Sequence, residues 1–161
     1  SSLLLAKEWL KNDEFIVSYS DIFYEQSAIM ALMESQSSIS ISYDVNWLAL
    51  WRRRFQDPLL DAETFKLTKD SFLVEIGRKA NSTEEIQGQY MGVLKFRPCG
   101  WRAFLNIIES CYEVKLWEMD MTQMLSLLIE KNNQKIKALP YSNVWGEVDS
   151  KNDLNLYQNM N

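Results

Sequence analysis

One stretch of this sequence decides how the rest is interpreted: Phe15-Ile16-Val17-Ser18-Tyr19-Ser20-Asp21-Ile22-Phe23-Tyr24. Its β-branched and aromatic residues, separated by small serines, predict a buried strand. Asp21 stands where that strand is expected to end, and ligands of open α/β sheets bind just beyond the carboxyl ends of strands. A carboxylate there is costly unless it meets a cation, a hydrogen-bond donor or water. Asp21 is therefore a candidate ligand residue, although on local sequence alone it is better explained as the cap of a following helix.

Hydrophobic periodicity predicts alternating strands and helices on either side of this stretch. Residues 25–35 have helical spacing, and residues 37–43 alternate as a strand does, which implies a parallel strand–helix–strand crossover. Residues 1–12 are expected to form one amphipathic helix with four apolar side chains toward the core: Leu4, Leu5, Trp9 and Leu10. The remaining predictions are a hairpin of 64–67 and 72–77, strands at 86–96, 136–139 and 144–149, helices at 100–111 and from Asp120, and a last helix capped by Ser150 and Asp153.

Composition limits the classes of function that are open to the chain. With 161 residues, 47% of them hydrophobic, we expect a single folded domain over 1–161, and no apolar run is long enough to cross a bilayer. The formal charge of −5 gives no basic surface for nucleic acid. Because the sequence has no histidine, Ser-His and Cys-His nucleophile pairs and His-ligated metals are excluded. Cys99 and Cys111 are expected to be reduced thiols of a cytoplasmic protein, and no signal peptide is expected at the start.

Two further segments have two interpretations each. The first is Trp47–Phe55, in which aromatic residues share a helical face beside three consecutive arginines. Its spacing favours an amphipathic helix with solvated arginines over a basic, aromatic lid on a phosphate or cationic head group. The second contains Gly88 and Gly92, which bracket a short polar and aromatic run before a strand. These glycines would let the backbone approach a ligand closely, although a β-bulge explains them equally well.

The candidate site is completed by a distant acidic pair. Glu147 and Asp149 are two residues apart at a predicted strand end, so both are expected to point to one face. Two carboxylates on one face repel each other unless a cation lies between them. Together with Asp21 they would form an oxygen site suited to Mg²⁺, which takes one or two carboxylates plus substrate phosphates. Alternatively, the pair are ordinary surface acids that stabilise the N-terminus of the following helix.

Successive segments of the chain resemble motifs of the nucleoside-triphosphate sugar nucleotidyltransferase family, most closely its phosphocholine and aminoalkylphosphonate cytidylyltransferase branch. The segments that carry the resemblance occur in the family's order and span nearly the whole chain: Phe15–Ile22, Gly88–Gly92, Asp120–Thr122 and Trp145–Asp149. The resemblance implies a Rossmann-like three-layer α/β/α sandwich with a mixed, mostly parallel sheet. It also implies a reaction of CTP with a phosphocholine-, phosphonate- or sugar-phosphate-type acceptor, in which the acceptor's phosphoryl oxygen attacks the α-phosphorus and pyrophosphate leaves.

The same resemblance implies roles for individual residues. Asp21 and Asp149 match the family's catalytic, metal-binding acids, and Glu147 matches a ligand of the metal or of the acceptor. Gln89 and Tyr90 fall in the acceptor-binding segment. The aromatic residues of 47–55 would face the acceptor, where their rings could hold a quaternary ammonium group.

The chain departs from the family pattern at its start. The family begins with a strand and a glycine-rich loop followed by a lysine, and no such loop occurs in this sequence. We therefore expect the chain to correspond to the C-terminal two-thirds of the family fold and to be catalytically poor alone. An open sheet edge would favour association, so a homodimer is a candidate assembly. The alternative function is a non-catalytic ligand-binding remnant that acts through protein interaction.

Overall fold

A computed structural model describes residues 2–110, 119–132 and 135–159 of the chain. Its central sheet has four strands in the order β1 (Phe15–Ser18), β6 (Gln89–Phe96), β3 (Ile39–Asp44) and β7 (Ile136–Tyr141). Because β1 and β3 both pair antiparallel to β6, and β3 pairs parallel to β7, three strands share one direction and β6 opposes them. The predicted α/β class with a mixed sheet is confirmed, but the sheet is not mostly parallel in its pairing, because β6 lies between β1 and β3 and makes two of the three pairings antiparallel.

Two smaller strand pairs flank this sheet. In one, β2 (Ile22–Tyr24) pairs antiparallel with β8 (Trp145–Glu147). In the other, β4 (Glu63–Leu67) pairs antiparallel with β5 (Leu73–Lys79), which confirms the predicted hairpin. The prediction of one strand through residues 15–21 is wrong in one respect, because the strand ends at Ser18 and the chain continues as β2 after Asp21. The change of partner explains the break, since β1 bonds to β6 whereas β2 bonds to β8.

The helices are α1 (Ser2–Leu5), α2 (Lys7–Leu10), α3 (Gln26–Glu34), α4 (Trp47–Arg54), α5 (Pro98–Ser110), α6 (Met121–Asn132) and α7 (Lys151–Gln158). Short 3₁₀ turns occupy Pro58–Leu60 and Thr83–Glu85. All six residues of β3 are buried, so both faces of the central sheet are covered there, as the predicted layering requires. Cys111, the predicted end of the helix that corresponds to α5, lies outside the described residues.

The prediction of a single helix over residues 1–12 is wrong. The segment forms two short helices interrupted at Ala6. At the interruption the Ala6 N–H donates to the Leu3 carbonyl and the Trp9 N–H donates to the Ala6 carbonyl, and both are i to i+3 hydrogen bonds. A turn with three residues rotates the following side chains away from the face that a continuous α-helix would present. Trp9, which follows the break, is 85% exposed. Leu5, which precedes it, is 90% exposed, while Leu4 and Leu10 pack against the core as expected.

Both predicted helix caps are present. The Asp120 carboxylate accepts a hydrogen bond from the Gln123 N–H at 2.8 Å, and the Gln123 side chain accepts one from the Asp120 N–H. Ser150 and Asp153 form the reciprocal pair at the start of α7. These caps fix where α6 and α7 begin and therefore where the adjacent acidic residues stand. None of the helices in the described ranges is long and apolar enough to cross a membrane.

Candidate functional site

The acidic pair at the end of β8 surrounds the side chain of Arg54. Arg54 is the last residue of α4, and only 1% of its side chain is exposed. Its Nη1 donates to Glu147 Oε2 at 3.2 Å, its Nη2 to Asp149 Oδ2 at 2.8 Å and its Nε to Asp153 Oδ1 at 2.9 Å. Glu147 and Asp149 therefore do point to one face, as predicted, and the cation that they meet in this structure is a guanidinium.

The protonation equilibria follow from this cluster. Burial raises the pKa of Glu147, and the nearby charges of Asp149 and Asp21 raise it further against the opposing effect of Arg54. Burial also acts to raise the pKa of Asp153, but its hydrogen bonds with Arg54 and Ser150 outweigh burial and leave that pKa lowered. The pKa of Arg54 is raised because its bonds to the carboxylates more than offset burial. The guanidinium stays charged, and the negative charge of Glu147 is less favourable here than in water.

The backbone of Asp21 lies next to this cluster. Its carbonyl accepts a hydrogen bond from the Val148 N–H at 2.8 Å, next to the β2–β8 pairing that sets Ile22 opposite Glu147. The residue lines a cavity of about 500 Å³, whereas Glu147 and Asp149 line a neighbouring one. Over the parts of the chain that the structure describes, no three acidic or cysteine side chains group closely enough to hold a metal ion. The cage of three carboxylates is thus not formed here, and a site built on Asp21 and Asp149 stays a prediction.

The neighbouring cavity, of about 210 Å³, is acidic and aromatic. Its described lining contains no lysine or arginine but contains four acids, Asp61, Glu63, Glu147 and Asp149, and four aromatic residues, Tyr19, Trp51, Phe65 and Tyr90. Burial, together with the charge of Asp120, raises the pKa of Glu63. Burial, with smaller effects of the surrounding acids, raises the pKa of Tyr19 to about 12. A cavity with this lining favours a positively charged ligand group.

Gln89 and Tyr90 both line this cavity, but they differ in what they offer a ligand. The Gln89 side-chain N–H₂ donates to the Glu63 carbonyl at 2.7 Å and so holds β6 against the hairpin. The Tyr90 hydroxyl is buried and has no hydrogen-bond partner among the residues described. A buried hydroxyl of this kind usually has a partner, and a bound ligand would supply one. Of the two predicted residues, Tyr90 is the one with a buried polar atom that lacks a partner among the residues described.

The structure decides between the two explanations of the glycines. Gly92 has a φ of +75°, and the register between β3 and β6 shifts where Ile41 pairs with Leu94 and Tyr43 with Tyr90. A Cβ at Gly92 would lie 2.8 Å from the Tyr19 ring, and one at Gly88 would lie 2.3 Å from the Tyr43 ring. The β-bulge and the close packing of rings therefore account for both glycines without a ligand.

Sequence reasoning missed the role of Arg54. The explanation with solvated arginines holds for Arg52 and Arg53, which are exposed. Arg54, however, is seven residues after Trp47 and three after Trp51, which places all three on one helical face. The sequence does contain a signal for this role: Arg54 is a charged residue on the apolar face of α4. Such a residue needs a buried counter-charge, and the acids of β8 and α7 supply it.

Comparisons with known proteins agree with the resemblance. No family model matches the chain. It is 37% identical over 154 residues to the CTP:phosphoglutamine cytidylyltransferase of Campylobacter jejuni subsp. jejuni serotype O:2. The aligned region covers 89% of the chain and 58% of that relative. The chain thus spans less than two thirds of the curated relative's length.

Solved structures show the same fold at low sequence identity. The inositol-1-phosphate CTP transferase of T. maritima matches 98% of the chain and 58% of its own length, with a TM-score of 0.65 at 18% identity. A Bacillus anthracis protein assigned as a glucose-1-phosphate thymidylyltransferase matches 99% of the chain and 61% of its own length, with a TM-score of 0.66 at 14% identity.

Proposed function

We propose that this chain, which is related to the nucleotidyltransferase family, forms part of an enzyme that transfers a cytidylyl group from CTP to a phosphorylated small molecule and releases pyrophosphate. The observation that carries the proposal is the 37% identity to a cytidylyltransferase over 89% of the chain. In such a transfer, a phosphoryl oxygen of the acceptor forms the new bond to the α-phosphorus of CTP. The bond from that phosphorus to the bridging oxygen of pyrophosphate breaks, and no covalent enzyme intermediate is needed.

Magnesium is the metal that we propose for the acids. Mg²⁺ binds through one or two carboxylates and keeps its other positions for water and phosphate oxygens, so a full protein cage is not required. Asp21 is exposed and the Asp149 side chain is 51% exposed, with one oxygen bonded to Arg54. Asp21 and Asp149 would hold the ion, with Glu147 beside them. When bound there, Mg²⁺ would offset negative charge on the phosphates of the substrates.

The acidic and aromatic cavity indicates the chemical class of the acceptor. Because four acids and four aromatic rings line it and Arg54 pairs with only two of the acids, we propose that it receives an ammonium or quaternary ammonium group of the acceptor. The Trp51 indole is held by a 2.9 Å hydrogen bond to Asp61 and stands as one wall. Glu63 and Asp149 both belong to the acidic part of the lining. A phosphocholine- or aminoalkylphosphonate-type acceptor fits this lining better than a sugar phosphate, whose sugar carries no positive charge.

The test is a substrate panel on the complete gene product that contains this chain. Pyrophosphate release would be followed with CTP, ATP, GTP and UTP, each with phosphocholine, 2-aminoethylphosphonate and glucose 1-phosphate, in the presence of Mg²⁺. We expect release with CTP and a cationic acceptor, and its loss in Asp149→Asn but not in the exposed control Asp70→Asn. Release with no pair of substrates would contradict the proposal. Release with glucose 1-phosphate alone would contradict the acceptor class only.

The alternative is a non-catalytic binding module that acts through protein interaction. Under this alternative, the acceptor binds to the gene product in a titration although no substrate pair releases pyrophosphate. Binding together with turnover would exclude it.

A further inference from the structure

Tyr19 lies at the junction of two cavities. It lines the acidic and aromatic cavity of about 210 Å³, the smaller cavity, and also the cavity of about 500 Å³ that Asp21 lines, the larger cavity. Among the described residues, Tyr19 alone lines both. It directly follows the last residue of β1, Ser18, and ligands of open α/β sheets bind beyond the carboxyl ends of strands. Its side chain is therefore placed to contact a ligand in either cavity.

The ring of Tyr19 is held in place by β6. The Tyr19 N–H donates to the Gly92 carbonyl at 3.0 Å, and a Cβ at Gly92 would lie 2.8 Å from Cδ2 of the ring. The glycine thus leaves the space that the ring occupies. The rings of Tyr19 and Tyr90 meet edge to face, with centroids 6.0 Å apart and an interplanar angle of 86°. These contacts set the position of the ring without a ligand.

The Tyr19 hydroxyl stays protonated near neutral pH. Burial raises its pKa to about 12, with smaller contributions from the charges of nearby acids. Of these acids, Asp120 and Asp21 line the larger cavity, whereas Glu147 and Glu63 line the smaller one. The side chain therefore stands between the acids of both cavities as an uncharged aromatic wall.

The two cavities differ in size as the two substrates of the proposed function do. About 500 Å³ lies within the range of roughly 300–1,000 Å³ that small-molecule sites span, whereas about 210 Å³ suits a head group. We propose that Tyr19 is a positioning residue that separates CTP in the larger cavity from the cationic end of the acceptor in the smaller one, and that its ring keeps water from the phosphorus under attack. The inference rests on the proposed function.

Water is the competitor that this wall would exclude. If water attacks the α-phosphorus of CTP in place of the acceptor, the bond to the bridging oxygen of pyrophosphate breaks in the same way. The products are then CMP and pyrophosphate, and the proton of the attacking water goes to the solvent. An active site that excludes water suppresses such hydrolysis. Removal of the ring should join the two cavities and admit water, so that pyrophosphate is released without transfer to the acceptor.

The test measures how the complete gene product divides CTP between hydrolysis and transfer. With phosphocholine or 2-aminoethylphosphonate as the acceptor, the amounts of CMP and of cytidylylated acceptor are measured together. We expect Tyr19→Ala to raise the ratio of CMP to transfer product about tenfold or more, and Tyr19→Phe, which keeps the ring, to restore most of the coupling. The matched control is Phe23→Ala, a loss of a ring that lines neither cavity, and its ratio should be that of the wild type.

The ratio distinguishes a positioning role from a structural one, because both products come from the same folded enzyme. If the wild type transfers to neither acceptor, the proposed function or its acceptor class is wrong and the inference fails with it. If the wild type transfers but Tyr19→Ala keeps the wild-type ratio, only the inference is overturned. An equal rise in Tyr19→Phe or in Phe23→Ala would also overturn it, since the ring at this position would then not matter. Should Tyr19→Ala not fold, Tyr19→Leu is expected to raise the ratio to a smaller extent, and an unchanged ratio there would overturn the inference.

Discussion

Removal of the Tyr90 hydroxyl is expected to affect the stability of the chain and its affinity for the acceptor differently. A buried polar group left without a partner costs about 1–3 kcal/mol, and among the residues described this hydroxyl has none. We therefore expect Tyr90→Phe to keep or slightly raise the stability of the chain while weakening acceptor binding by the gene product. Urea unfolding and acceptor titration measure the two effects.

The matched control for that change is Tyr141→Phe. The Tyr141 hydroxyl accepts a hydrogen bond from the Glu25 N–H and donates one to the Val144 carbonyl, so its removal should cost about 1–3 kcal/mol. Equal losses of stability in the two variants would show that Tyr90 has a partner in the folded chain. An unchanged affinity for the acceptor would remove Tyr90 from the binding site.

Asp44 gives the chain a pH dependence that can be assigned to one residue. Its carboxylate is 4% exposed and accepts hydrogen bonds from the Trp145 indole at 2.8 Å and from the Asn46 N–H at 2.7 Å. Burial raises its pKa from 3.8 by more than these bonds lower it. The folded state then binds the proton more tightly than the unfolded state, so this group's contribution to stability falls as pH rises through the folded pKa.

Asp44→Asn should remove this fall. The amide keeps one acceptor and loses the other, so we expect a loss of about 1–3 kcal/mol at pH 7 together with a flatter dependence of the unfolding free energy as the pH rises above 3.8. Urea unfolding from about pH 4 to pH 7 measures both quantities. The assignment would be contradicted by a slope equal to that of the wild type.

At the scale of elements, the cap of α7 connects local structure to the site. Ser150 Oγ accepts a hydrogen bond from the Asp153 N–H, and Asp153 in turn accepts one from Arg54. We expect Ser150→Ala to lower the unfolding free energy by about 0.5–2 kcal/mol, as the loss of an N-cap does. Asn152→Ala, an exposed change in the same helical turn, is the control and should be nearly neutral. Thermal unfolding of both variants measures this, and an equal effect of the two would mean that the cap does not stabilise the helix.

The elements also show how far sequence patterns can be trusted. Caps and alternating strands depend on residues close in sequence, and for that reason Asp120, Ser150 and the hairpin of β4 and β5 were predictable. The break after Ser18 was not, because it depends on a change of partner strand from β6 to β8. The interruption of the first helical segment at Ala6 was not predictable either, because hydrophobic periodicity does not distinguish α-helical turns from 3₁₀ turns.

At the scale of the whole molecule, the candidate site exists only because distant segments meet. Arg54 bonds to Glu147 and Asp149, which are 93 and 95 residues away in the chain, and the Asp21 carbonyl meets the Val148 N–H. The acids could be selected from sequence through the resemblance of their segments to the family's motifs. Arg54 lies in none of those motifs, and its burial depends on packing of α4 against α7 that no local pattern encodes.

Under the proposed function, carboxylates from separate parts of the chain bind a divalent cation next to the phosphates of CTP. This can be tested with crystals of the complete gene product that contains this chain, grown with Mn²⁺ and CTP and measured at a wavelength where manganese scatters anomalously. We expect one strong anomalous peak within coordination distance of a carboxylate oxygen of Asp21 and of Asp149. Bound CTP with no such peak, or a peak that contacts neither residue, would contradict it.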